Sequence, residues 1–285
     1  MLWIILSVLS GLGDAVIFAL MKKLKDVDNS IVVWVQFAFA LPFLLILLHS
    51  NYPQEINPNV YWIAALNGIL MTITTYVLLN ALQISKLSVS LPMLSLTPLF
   101  LIILSYFMLK EIPTIAGFVG IILIVIGAYT VNVKHGKGPL EPFKSLFKIK
   151  GSFYVIMVAF IWSITANLFK IGIVASNAIY FSMLVYLFIT LIMLPLFFFQ
   201  FKEKFTQIRI NFRLLLFLGI SSAFMIVFSS YAMAYAIVPY VISLKRSSLI
   251  FSIFIGYLFF NEKNIKSALI GTIIMLAGGI LITLF

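Results

Sequence analysis

Ten apolar stretches, most of them about twenty residues long, run through this 285-residue chain with short polar or turn-forming connections between them. They occupy 2–21, 31–49, 60–82, 89–109, 112–132, 151–170, 177–200, 213–236, 239–260 and 265–285. A helix of about twenty apolar residues matches the hydrocarbon layer of a bilayer. Hydrocarbon cannot satisfy backbone polar groups, so a spanning segment must be helical or belong to a closed barrel. Barrel strands alternate over about ten residues, so continuous runs select helices. Composition agrees, because 63% hydrophobic and 9% charged residues leave too few charges to cover a water-facing surface. The expectation is an all-α polytopic membrane protein with ten transmembrane helices, in contact with the lipid bilayer and, most simply, in the cell membrane. Leu2–Met21 has no basic residue before it and no small-residue cleavage site, so it reads as a retained first span.

The chain compares with itself. Adding 151 carries Phe100 to Phe251, Tyr106 to Tyr257, Glu111 to Glu262, Gly120 to Gly271 and Gly127 to Gly278. Upstream an offset of 155 pairs Tyr76 with Tyr231 and Ala81 with Ala236. The longest connection, rich in lysine, glycine and proline, falls between the matched parts. The reading is two five-helix repeats, 1–133 and 151–285, joined by a linker at 134–150. An odd number of spans per half inverts the second half in the membrane, a plan in which substrate sits between the halves near the midplane.

Charge placement supports the count. Apart from Lys245 and Arg246, every Lys and Arg except Lys110 and Lys170 falls in or at the edge of the first, third, fifth, seventh or ninth connection. The positive-inside rule makes those connections cytoplasmic and turns both termini outward. The net charge of +11 is therefore a topology signal, and no basic domain exists to hold nucleic acid. No cysteine is present, which excludes disulfides and thiolate metal sites. His49 and His135 are far apart and at span edges, and no nucleophile–base set accompanies them, which argues against an enzyme. No cofactor or metal is implied.

Thr97-Pro98, Leu109-Lys110-Glu111, Gly120 and Gly127, echoed by Gly256–Glu262, Gly271 and Gly278, resemble the two halves of EamA-type members of the drug/metabolite transporter superfamily. Trp162, Ser163, Asn167 and Lys170 resemble the opening helix of such a half. The resemblance implies ten helices and transport of small metabolites. Most members of that family have cytoplasmic termini, the reverse of the charge reading. Leu249 stands where the first half has Pro98, so the two halves need not bend alike.

Lys245 and Arg246 lie six or seven residues into the ninth stretch, well inside hydrocarbon at about 1.5 Å per residue. A cation there costs about 2.5 kcal/mol or more. Their first-half counterparts are Leu94 and Ser95, so the charges are an addition to the repeat. One reading has Lys245 snorkelling and Arg246 capping carbonyls. The other is an anion site, with the planar Arg246 fork on an oxyanion and Lys245 as a mobile charge. The stretch Ile242–Ser248 also resembles the ninth helix of plastid phosphate-exchanging transporters, which implies that Lys245 and Arg246 hold substrate phosphate. Asp14 is an acid inside the first span: either it pairs with Lys245 or Arg246, or it binds a proton or a substrate ammonium. Glu111 and Glu262 read as helix caps, and the paired glycines as points of close helix approach. Tyr76, Asn80, Asn167, Tyr231 and Tyr235 complete the candidate substrate site, with Asn67 and Thr75 as further cavity residues.

The expected function is a secondary carrier of a small organic metabolite, favouring an organic anion, phosphorylated or not, bound in a midplane cavity and moved by alternating access. Export of neutral or zwitterionic metabolites such as amino acids, and a non-transporting lipid-binding or accessory role, are the alternatives. Monomer and homodimer are both left open.

Overall fold

The computed structural model describes residues 1–84, 94–132, 150–198, 201–260 and 265–284. Among them every regular element is a helix. In chain order these are α1 Leu2–Lys23, α2 Asn29–Ala38, α3 Leu41–Ser50, α4 Asn59–Ile84, α5 Thr97–Leu109, α6 Ile115–Asn132, α7 Lys150–Ala175, α8 Ala178–Phe198, α9 Phe201–Ile210, α10 Phe212–Tyr235, α11 Val238–Lys245, α12 Ser248–Phe260 and α13 Ile265–Leu284. Among the described residues, six helical stretches are long and apolar enough to cross a membrane: α1, α2 with α3, α4, α7, α8 and α10. Shorter apolar helices occur at Thr97–Leu109, Ile115–Thr130 and Ile270–Leu284. Residues 134–149 of the linker 134–150 and Glu262 lie outside the described residues, while Lys150 begins α7.

The surface requires hydrocarbon around it. Ile5, Ile46, Ile73, Phe107, Leu191, Phe217, Phe254, Leu258 and Ile273 are each more than half exposed. Exposing such residues to water costs about 25 cal/mol per Å² of apolar surface, which lipid removes. Inside, Ile31, Val33, Val35 and Phe37 of α2 pack with Phe181, Tyr186 and Ile189 of α8 and Leu215 and Leu218 of α10 in one continuous core. Phe37 meets Tyr186 edge-on at 4.9 Å.

The second apolar stretch is bent rather than straight. Pro42 near the start of α3 has no N–H to give, and the chain turns through Phe39 and Ala40. The bend wraps α2 and α3 around α8 and α10, where Phe39 lies against Gly219 with no room for a larger residue. Residues 202–211, expected as a connection, are mostly the helix α9. Lys, Glu, Gln and Arg are good helix formers, and polarity alone does not forbid the element.

Two further apolar stretches carry a turn among the described residues. After Leu94 a turn at Ser95 and Leu96 precedes α5, and after Lys245 a turn at Arg246 and Ser247 precedes α12. The backbone tightens there into three-residue bonds: Leu99 N–H to Leu96 O at 3.0 Å, and Ser247 N–H to Leu244 O at 2.9 Å. The breaks fall at matched positions although only the first carries a proline, Pro98, so that proline is not what sets them.

Small residues bring helices together. A Cβ on Gly120 would meet Gly278 O at 2.6 Å, and one on Gly127 would meet Gly271 O at 2.6 Å. α6 and α13 thus touch backbone to backbone, an approach only glycine permits. α1 runs against α10, α11 and α12, and α7 against α4 and α5.

Candidate functional site

The break between α11 and α12 is where buried charge collects. α1 presses on it through Gly11, whose missing side chain leaves room for Ser247 Oγ, 2.6 Å from where a Cβ would stand, and for Lys245 O at 2.8 Å. One turn further along α1, Asp14 Oδ2 forms an ion pair with Lys245 Nζ at 3.3 Å. Lys245 Nζ also lies 3.2 Å from Met225 Sδ of α10. Both members of the ion pair keep a little exposure, 17% for the Lys245 side chain and 16% for Asp14.

Arg246 differs from its neighbour. It is 8% exposed, and its Nε is buried with no hydrogen-bond partner. Ser247 Oγ beside it is also buried and unpartnered, and so is Ser95 Oγ at the matched break before α5. Buried polar groups are nearly always satisfied, so a guanidinium nitrogen and an adjacent hydroxyl left over together ask for an explanation. The break supplies more: α11 ends on Lys245, a cation where the helix pole is negative, and α12 begins at Ser248, where the pole is positive. Two cations against one carboxylate leave the cluster with a surplus positive charge.

The remaining candidate residues are dispersed. Asn167 is fully buried and satisfied, accepting from Ser105 Oγ at 2.7 Å and donating to Ser163 O at 2.9 Å. It braces α5 to α7. Asn80 accepts from Asn29 Nδ2 at 3.1 Å, tying α4 to α2. Tyr231 donates to Asn51 Oδ1 at 3.3 Å, away from the break. Tyr76 shares an exposed stripe of α4 with Trp62, Leu66, Ile69 and Ile73, and Tyr235 shares one of α10 with Phe217 and Phe224. Both tyrosines stand on exposed faces of their helices. Asn67 donates to Thr165 O at 2.9 Å, joining α4 to α7.

Glu111 does what a cap does: its Oε2 accepts from Val238 N–H at 2.7 Å at the start of α11. Burial holds its carboxyl above the usual carboxylate range, opposed by that bond and by Lys170. Gly11 and Ser247 were not singled out from sequence. The signal available was small residues one turn before an intramembrane acid, Ser10-Gly11 before Asp14.

Comparison with known proteins bears on this bundle. The pattern of the EamA-like transporter family matches residues 1–133 and 149–284. The chain belongs to the EamA-like transporter family. It is thus an integral membrane protein of the drug/metabolite superfamily, whose members are transporters rather than enzymes. A solved crystal structure superposes on this EamA-like chain with a TM-score of 0.69 at 12% sequence identity, over 99% of this chain and 95% of the other. At that identity the likeness speaks for the fold alone. No curated protein matches the chain.

Proposed function

We propose that this EamA-like transporter is a secondary carrier of small organic anions, phosphate- or carboxylate-bearing, which binds its cargo at the α11–α12 break. The single observation carrying the reading is Arg246: a buried guanidinium with an unpartnered Nε, while the nearby acid, Asp14, is engaged by Lys245. Leaving a buried charge unmatched costs several kcal/mol. An incoming oxyanion removes that cost by accepting from the Arg246 fork and the Ser247 hydroxyl. The positive end of α12 adds to the attraction. Lys245 then divides its charge between Asp14 and the cargo. Proton coupling and exchange are both compatible with this chemistry.

Passage follows from two inverted five-helix halves, 1–133 and 151–285, with 134–150 between them, rocking about the site. Several contacts support this. Gly120 meets Gly278 and Gly127 meets Gly271; under the 151-residue offset each contact is the image of the other. α1 packs on α10 as α7 packs on α4, and the breaks before α5 and α12 coincide under the same offset.

A zwitterionic cargo would need Asp14 for its ammonium, and that carboxylate is taken by Lys245 at 3.3 Å. The test is a thermal-shift screen of purified protein against organic phosphates, carboxylates and amino acids, followed by vesicle uptake of whichever stabilises. Stabilisation by anions that disappears in Arg246→Ala is the expected result. Stabilisation by amino acids alone, or by anions equally in Arg246→Ala, would overturn the anion reading.

A further inference from the structure

Where α10 turns into α11, two helix ends of opposite polarity meet side chains of opposite charge. Lys170, near the end of α7, donates to the carbonyls of Met233 and Ala236 at the end of α10. Glu111, in the connection after α5, accepts from Val238 N–H at the start of α11. The two side chains are 4.0 Å apart and about one-eighth exposed. Each charge faces the helix pole that stabilises it, and each also faces the other.

Bonds around this clamp tie the two family-matched regions together at the same end of the bundle. Asn57 N–H donates to Ala175 O at 3.0 Å. Asn177 Nδ2 donates to Asn51 O at 2.7 Å, Thr114 N–H donates to Tyr240 Oη at 2.9 Å, and the hydroxyls of Tyr61 and Tyr180 are hydrogen-bonded to each other at 3.2 Å. α11 connects this end to the charge cluster. It has eight residues, with Glu111 on its first turn and Lys245 as its last residue, a rigid strut about 10 Å long.

We propose that the Glu111–Lys170 clamp is a gate, closing the end of the carrier that bears 51–58, 110–114 and 236–237, and that its release frees α11 to reposition Lys245 and Arg246. The inference rests on the alternating-access reading above. Cargo cannot pass that end while bonds between the halves span it. Because the clamp grips α11 at one end and the cargo residues sit at the other, opening and binding are mechanically joined.

The experiment reads access without needing a cargo. The native chain has no cysteine, so Met225→Cys puts one thiol beside Lys245. Its rate of modification by an anionic, membrane-impermeant thiosulfonate, added on the Asn57 side of vesicles, reports how often that end opens. Glu111→Gln and Lys170→Met are expected to raise the rate by about tenfold or more, the equivalent of one charge-assisted bond lost. A second arm joins the gate covalently. The backbone bond from Asn57 N–H to Ala175 O brings the two residues together across the halves. In Asn57→Cys/Ala175→Cys/Met225→Cys, with the disulfide verified by intact mass, modification at position 225, read by peptide mass, is expected to stop and to return after reduction. Unchanged labelling with the cross-link in place would overturn the gate. The cross-link arm decides alone if the clamp variants do not fold. Failure here with anion stabilisation intact discards the gate and keeps the anion site; the converse discards the cargo class and keeps the gate.

Discussion

At the scale of single residues, Arg246, Lys245 and Asp14 have unequal roles. Arg246 is buried with its Nε unpartnered, and Asp14 pairs with Lys245, so removing Arg246 takes away attraction for an anion while Asp14 keeps a cation. Arg246→Ala is expected to weaken apparent affinity for an anionic cargo by roughly ten- to a hundredfold, the worth of a charge-assisted hydrogen bond, with little loss of melting temperature. Lys245→Ala is different, because it leaves Asp14 in a poorly hydrated place without its cation. That variant is expected to lose stability on the order of a few kcal/mol, and Asp14→Asn added to it should restore melting but not uptake. A double variant that regains uptake would show that Lys245 serves only Asp14. Tyr76→Phe and Tyr235→Phe should leave uptake within about twofold, since both stand on exposed stripes of α4 and α10. Sequence depth alone placed all these residues in the membrane; it could not say which way each pointed. The three charged residues were legible because charge in hydrocarbon is costly enough to demand a use. The neutral polar ones were not, since a buried asparagine satisfies itself on a neighbouring helix as readily as on a ligand, and Asn167 does so with Ser105 and Ser163.

At the scale of elements, the contacts that matter are made through missing side chains and helix ends. Gly120→Ala and Gly127→Ala place a methyl about 2.6 Å from the carbonyls of Gly278 and Gly271. Backbone on both sides cannot yield cheaply, so each should cost about 1–3 kcal/mol, read as a lower melting temperature in detergent. Gly11→Ala meets Ser247 Oγ and Lys245 O; here the expectation is lost anion stabilisation as well as lost stability, because the methyl pushes on the site itself. The clamp offers a sharper test of what holds it. Exchanging its charges, Glu111→Lys with Lys170→Glu, should fail to restore function, because the poles of α10 and α11 do not exchange with them. Recovery by the exchanged pair would reduce the clamp to an ordinary ion pair. The glycines were readable as a repeat at seven-residue spacing. Which partners they meet was not, since an antiparallel crossing sets Gly120 on Gly278 rather than on its own counterpart Gly271.

At the scale of the whole molecule, sidedness is the open quantity that a measurement decides directly. Glu55 lies in the connection before α4 and Glu203 in α9, and both side chains are exposed. If the lysine distribution sets orientation, a cysteine at Glu55 should react with an impermeant reagent from outside the cell, and one at Glu203 only after permeabilisation. The reverse pattern would give both termini to the cytoplasm, as in most of the family.

Composition and periodicity by themselves determined that this chain is a helical membrane protein, because no other solvent tolerates so much apolar surface and no other backbone survives there unsatisfied. Internal repetition and two stray cations pointed to a transporter and to the helix that carries its charge. Tertiary structure alone decided the pairing: that Asp14 meets Lys245 while Arg246 Nε is left without a partner, that Glu111 and Lys170 hold the two ends of one corner, and that Tyr76 and Tyr235 stand on exposed helix faces. The reason is physical. Burial in a bilayer is a property of a segment and can be summed along a sequence, whereas a hydrogen bond or ion pair depends on distances between segments far apart in the chain, which only packing sets.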